Sequence, residues 1–150
     1  SKKLYIIGPE TEDKFFFRNL INKSLENNIF YLGTKTHKEI NVFLNKSNVF
    51  VLPSIEEGMA TVTLQAISAG CPVIVSENTG ALEIVKKNKC GFVVPIRNSE
   101  IIKDKLSEIV DNKNLEKEFA ANALKFSNEY TWYDYVKKLD NIIEKFKNKI

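Results

Sequence analysis

Residues 49–52 (Val-Phe-Val-Leu) and 72–75 (Pro-Val-Ile-Val) are apolar at every position, not at alternate ones. A strand with one wet face alternates apolar and polar residues with a period of two, because successive side chains point to opposite faces. A strand with no polar position has no face for water. Such runs belong to parallel sheets covered by helices on both sides, and they limit the possible folds more than any other feature of this chain.

The remaining segments agree. Residues 4–7 form an apolar run closed by Gly8-Pro9, residues 29–32 another closed by Gly33, and residues 91–95 (Gly-Phe-Val-Val-Pro) a further strand. Between them, residues 10–26 carry Phe16, Leu20, Ile21 and Leu25 at helical spacing, and residues 37–46 carry Ile40, Phe43 and Leu44. Residues 60–69 are apolar on most of a helical surface and end at Gly70, a C-terminal cap, which predicts a buried helix. After Pro95 the patterns are helical only: residues 99–110, 115–129 and 132–149, broken at Asp111-Asn112 and Tyr130-Thr131. Thr131 and Asp134 have the spacing of a capping box. Strands alternating with helices predict an α/β fold, a Rossmann-like three-layer αβα with a parallel sheet, ending in consecutive C-terminal helices. A length of 150 residues suits one domain with its own core, so residues 1–150 are expected to form a single domain.

Charge excludes one class of partner. The net charge is +3, from 22 basic and 19 acidic residues, with the lysines scattered. Nucleic-acid binding calls for a basic stripe interleaved with aromatics, and none is present, so no nucleic-acid partner is expected. The C-terminal lysines alternate with apolar positions, as on a solvated helix face, a pattern that also allows peripheral contact with anionic lipid. No stretch approaches the roughly 18 apolar residues that span a bilayer. The opening Ser-Lys-Lys-Leu-Tyr-Ile-Ile-Gly runs directly into a strand and lacks the pattern of a signal peptide. Cys71, Cys90 and the single His37 do not have metal-ligand spacing, so no metal site is expected. Two unpaired thiols suit a reducing compartment, and the expected location is the cytoplasm.

In a doubly wound sheet, ligands bind beyond the carboxyl ends of the strands. The segment from Pro53 to Thr61 reads Pro-Ser-Ile-Glu-Glu-Gly-Met-Ala-Thr and leads from a strand end into the buried helix. Gly58 lets backbone approach a ligand closely. The amides of Met59, Ala60 and Thr61 are expected to be free first-turn donors that, with the helix dipole, hold a phosphate. Glu57, with Glu56 beside it, is a poor structural choice at such a mouth, so at least one of the two is expected to grip hydroxyls. Gln65 lies about a turn and a half into the helix, and its side chain leans back towards the same mouth. A second reading stands beside this one on spacing alone: Gln65 satisfies a nearby backbone group, since a lone amide among Val62, Leu64, Ala66 and Ile67 is costly, and Glu57 is an exposed loop acid.

Residues 49–75 read VFVLPSIEEGMATVTLQAISAGCPVIV. This resembles the signature of the family-four retaining glycosyltransferases, enzymes of the GT-B fold with two facing Rossmann-like domains. Their pattern runs Pro-Ser, two or three residues, Glu-Gly-Phe-Gly, a helix with a second Glu, then Ala-x-Gly-x-Pro-Val-Ile. The resemblance continues through Asn78-Thr79-Gly80 to Glu83, through Cys90-Gly91-Phe92-Val93-Val94-Pro95, and to Tyr130-Thr131-Trp132. Gly8-Pro9-Glu10 and Leu32-Gly33 match weaker positions, so the resemblance covers nearly the whole chain in the right order.

The resemblance implies roles. Glu57 is the first Glu of the paired-glutamate motif; it holds hydroxyls of the donor sugar and is the residue expected in the catalytic machinery, as a positioning group and not a general base. Gln65 stands where the second Glu binds the ribose; it loses a charge, keeps an acceptor and adds a donor. Met59-Ala60-Thr61 replaces Phe-Gly-Leu, and because those contacts are mostly backbone, the anion site is expected to persist with Gly58, beside an altered sugar pocket. Gly33 and Thr34 fall near the base. The family's diphosphate-neutralising Arg and Lys lie just upstream of the strand that opens this chain, and Lys2 and Lys3 sit too close to that strand to replace them.

What is implied is the donor-binding, C-terminal half of a retaining hexosyl-type glycosyltransferase of polysaccharide biosynthesis. It would transfer a sugar from a nucleoside-diphosphate donor to an acceptor hydroxyl held by an N-terminal domain absent from the sequence. No Asp-x-Asp occurs, so neither a metal-held diphosphate nor any cofactor beyond the donor is expected. The alternative from another class is a non-catalytic nucleotide-sugar-binding or regulatory module. A sugar-nucleotide epimerase of the same fold lacks its His and Glu pattern here, and a plain flavodoxin-like domain has no use for a Glu-Gly mouth. Among lesser features, Cys71 and Trp132 are expected to pack in the core and Glu83 to support a helix start at Gly80. Phe15-Phe16-Phe17 cannot all face one core.

Overall fold

The computed structural model describes residues 2–10, 19 and 28–147, without the side chain of Trp132. The predicted helix over residues 10–26 lies outside the described residues apart from Glu10 and Asn19, and so do Phe15-Phe16-Phe17. The chain forms two compact units, Ser1–Val42 and Phe43–Ile150.

In the first unit, β1 (Leu4–Ile6) pairs in parallel with β2 (Ile29–Tyr31) in the register Tyr5 to Phe30. These two rings stack with centroids 5.5 Å apart. Gly33 follows β2 at φ 67°, in the left-handed region where glycine carries no steric cost. Helix α1 (His37–Leu44) starts with a capping box. The Thr36 amide donates to Glu39 Oε2 at 2.8 Å and the Glu39 amide to Thr36 Oγ1 at 3.3 Å. The Thr36 amide and hydroxyl, both donating to Glu39 Oε2, hold the Glu39 carboxyl below its ordinary range.

The second unit is built on a parallel sheet of order β3-β4-β5: Phe50–Leu52, Val73–Ser76 and Gly91–Val94. Helix α2 (Thr61–Ser68) carries the chain from β3 to β4, and α3 (Leu82–Asn88) from β4 to β5. Parallel neighbours need such crossovers. Then α4 (Ser99–Asp111), α5 (Lys113–Glu129) and α6 (Trp132–Lys147) follow one another without a further strand. Ile74 and Val94 pack on one face of the sheet with Ile109 and Phe119, against Ile101, Ile102 and Leu106 of α4. Val73 and Val75, of the opposite parity, are also fully buried. Helices α2 and α3 contact β4 there, giving helix, sheet and helix layers.

The expectation that the runs at residues 49–52 and 72–75 are both buried on both faces needs correction. Only β4 is buried at all four positions; β3 is half-buried throughout and β5 is half-buried at three of four. β4 is central, whereas β3 and β5 are the edges of this sheet. Helix α2 likewise buries one stripe, Thr63, Ala66 and Ile67, and leaves Thr61 and Ser68 exposed.

The predicted stops are present. Gly70 ends α2 at φ 69°. Asn98 caps α4 by accepting from the Ile101 amide at 3.1 Å, and Asn112 caps α5 by accepting from Asn114 and Leu115. Asp134 donates its amide to Thr131 Oγ1 at 3.3 Å, the predicted capping box. Cys71 and Cys90 sit just ahead of β4 and β5, fully buried. Burial pushes the Cys71 thiol up to about 12, helped by the Glu116 charge, and the Cys90 thiol up to about 11. No described helix is long and apolar enough to cross a membrane.

Candidate functional site

Pro53 stops β3, since it has no N–H to extend the ladder. The loop that follows is tied to the loop after β4. At its start, Ser76 Oγ, on the last residue of β4, donates to the Ser54 carbonyl. Further on, the Glu57 amide donates to the Asn78 carbonyl at 3.0 Å. The Gly80 amide is shared between the carbonyls of Glu57 (3.1 Å) and Gly58 (2.6 Å). Glu57 and Thr79 thus form an isolated parallel bridge. Thr79 is buried, and its hydroxyl donates to the Ser76 carbonyl at 3.1 Å. The lacing separates the two acids: Glu57 is half-buried and Glu56 is exposed.

The loop delivers the chain to α2, whose N-cap is Ala60, with no side-chain cap. Alanine has no oxygen to offer the first-turn amides, so the positive end of the helix is left uncovered. The Thr63 amide is used by the Ala60 carbonyl at 2.9 Å. The helix begins at Thr61, so Met59 and Ala60 lie ahead of it and Val62 joins Thr61 in the first turn. Met59 and Thr61 are exposed. At Gly58 the φ is not left-handed, and a Cβ would meet nothing within 4 Å.

Gln65 sits on α2, half-buried, with its Oε1 closed off from solvent. Thr63 Oγ1 is buried without a hydrogen-bond partner. Gly33 and Thr34 belong to the first unit, Gly33 half-buried and Thr34 exposed. Glu83 stands exposed in the first turn of α3, which starts at Leu82, two residues after the expected Gly80.

Two features escaped the sequence reading. In the sequence, residues 78–80 stand out as a stretch of family pattern and Gly80 as a helix start, and not as a brace for the Glu57 loop, because backbone lacing has no side-chain signal. A cavity of about 240 Å³ also opens at the carboxyl ends of β3, β4 and β5, beside Ser76, Pro95, Arg97 and the cap Asn98. Neither Glu57 nor Gln65 lines it. Among the described residues, no three His, Cys, Asp or Glu side chains gather closely enough for a metal ion.

A family profile described as "Glycosyl transferases group 1" matches residues 2–126. The chain belongs to this family. One curated relative of this group 1 glycosyltransferase chain, an uncharacterised glycosyltransferase of Methanocaldococcus jannaschii, is 27% identical over 135 residues, which is 88% of the chain and 38% of the relative. The chain thus spans well under half the length of that relative. The C-terminal domain of LpcC, a glycosyl transferase group 1 family protein of Francisella tularensis, superposes with a TM-score of 0.74 at 25% identity, covering 85% of this chain and 68% of that one. HepE of Anabaena, solved in complex with UDP-glucose, gives 0.75 at 18% identity over 97% of this chain and 41% of that one; this likeness shows the fold. The expected α/β fold and the C-terminal-type glycosyltransferase domain are therefore both present.

Proposed function

We propose that the chain is the donor-binding half of a retaining glycosyltransferase. It holds a nucleoside-diphosphate sugar while a hexose passes to an acceptor hydroxyl with its configuration kept. The acceptor sits on a second domain, which this reading places N-terminal to the chain. No cofactor enters beyond the donor itself. We place the enzyme in the cytoplasm, peripheral to the membrane.

The observation that carries the reading is Gly58. Neither a left-handed φ nor a crowded Cβ position requires glycine there. A ligand approaching the backbone does require it, and Gly58 sits between a half-buried carboxylate and an uncapped helix N-terminus. The amides at the start of α2 take up charge on the diphosphate, which stabilises the leaving group. Glu57 accepts from sugar hydroxyls and so orients the sugar ring. Met59 and Ala60 line the approach through their backbone. By resemblance alone, Gln65 is assigned to the ribose and Gly33 and Thr34 to the base. HepE holding UDP-glucose on the same fold makes a uridine donor the first to test.

The test is calorimetry with UDP, GDP and ADP, each alone and as a hexose ester. Glu57→Ala is expected to weaken the sugar-bearing ligand roughly tenfold, the size of one hydrogen bond to a charged group, and to leave the bare diphosphate unchanged. Gly58→Ala is expected to weaken both about tenfold while stability stays within about 0.5 kcal/mol. Equal affinities in all three proteins would remove the assignment.

A further inference from the structure

Glu57 and Gly58 stand on a loop, where a side chain has no helix or strand of its own to fix it. A group that recognises sugar hydroxyls has to be held to within roughly 0.5 Å. The segment after β4 supplies that hold. Asn78 takes the amide of Glu57, and Gly80 gives its own amide to the carbonyls of both Glu57 and Gly58. The backbone is therefore gripped on both sides of the Glu57 side chain. Gly80 is not glycine for conformational reasons, since its φ is not left-handed. It is glycine because a Cβ would overlap the Gly58 carbonyl oxygen and come within 3.5 Å of the Met59 methyl. Thr79 anchors the segment. It is 7% exposed, and its hydroxyl bonds back to the last residue of β4 at 3.1 Å.

We propose that Thr79 and Gly80 are positioning residues for sugar recognition: a backbone latch that sets where the Glu57 carboxylate points. The proposal rests on the donor-binding reading above. It separates two parts of donor affinity. The nucleoside diphosphate depends mainly on the start of α2, whose backbone is held by the helix itself, and meets the latch only where it approaches the backbone of Gly58. The sugar depends on Glu57, and hence on the latch.

The experiment compares wild type, Gly80→Ala, Thr79→Val and Thr79→Ser, all as the full 150-residue chain. Each is titrated with UDP and UDP-glucose, GDP and GDP-mannose, and ADP and ADP-glucose, and its melting temperature is recorded. Wild type is expected to prefer one sugar-bearing ligand over its bare diphosphate by about tenfold. In Thr79→Val that preference falls to near one, with affinity for the bare diphosphate within about twofold of wild type; Gly80→Ala, whose Cβ displaces the Gly58 carbonyl, loses the preference and weakens the bare diphosphate as well; Thr79→Ser keeps the hydroxyl and the preference. A merely structural role would weaken both ligands alike and leave their ratio intact. Should Gly80→Ala fail to fold, the Thr79 pair decides. Folded variants that keep the tenfold preference overturn the latch and leave the donor reading standing. A wild type without any sugar preference sinks the donor reading, and the latch with it.

Discussion

Thr63 carries a hydroxyl into a site with no exposure at all, where its Oγ1 meets no protein partner. An unpaired buried hydroxyl costs about 1–3 kcal/mol, and valine has nearly the same shape without it. Thr63→Val is therefore expected to raise stability by about 1 kcal/mol, read from the urea midpoint at unchanged slope. A lower midpoint would mean the hydroxyl has a use in the folded protein. Thr63 also shows what one residue's neighbours in sequence conceal. The pattern of residues 60–69 predicted a helix buried on most of its surface, but not which single stripe faces the core, nor which polar side chains that stripe carries inside. Gln65 is the same case. Its place on α2 was legible from spacing; the enclosure of its Oε1 is set by packing from other segments, which no local window contains. Glu57 was separable from Glu56 only through the family resemblance, and the structure separates them by lacing to the loop at Asn78 and Gly80.

Local periodicity tells strand from helix, and so the five described strands and five of the six described helices fall where the apolar runs and helical stripes put them; the sixth, Leu82–Asn88, is too short for a stripe and is signalled only by Gly80 and Glu83. It does not give the order of strands in a sheet. The runs at β3 and β4 look equally buried in sequence, yet only the central one is, because its neighbours on either side exist only after the crossovers form. The β4–β5 pair shows the consequence most sharply. Gly91 lies opposite Val73 in the register, and a Cβ at Gly91 would overlap the Val73 carbonyl oxygen. Glycine inside a strand weakens it unless another backbone comes this close. Gly91→Ala is expected to cost about 3 kcal/mol, since one strand has to shift from its partner, whereas Gly58→Ala at the open loop position costs almost nothing. Thermal melts of the two variants side by side check this. Similar melting temperatures would mean that β5 is free to slide.

Cooperative unfolding of the second unit exposes two thiols at once, and this couples its stability to alkaline pH. In the unfolded chain a thiol titrates near its ordinary value of about 8.5. In the folded chain, burial raises Cys90 to about 11 and Cys71 to about 12. The sign follows from proton binding. Between the ordinary value and about 11, the unfolded chain has released thiol protons that the folded chain still holds, so rising pH favours unfolding. The stabilising contribution is complete below the ordinary value and is lost progressively up to the folded values. Each thiol contributes about 1.4 kcal/mol per pH unit within that window, and the pair about 3. Urea unfolding between pH 8 and 10.5 of the wild type and of a Cys71→Ala, Cys90→Ala double variant measures it. Lysine and tyrosine titration is common to both proteins, so the difference in slope isolates the thiols. Wild type is expected to lose stability more steeply than the variant, and its thiols to stay inert to a disulfide reagent at pH 8 until the chain unfolds. Parallel slopes with rapid modification would place both thiols within reach of solvent, and with them the starts of the two strands they precede.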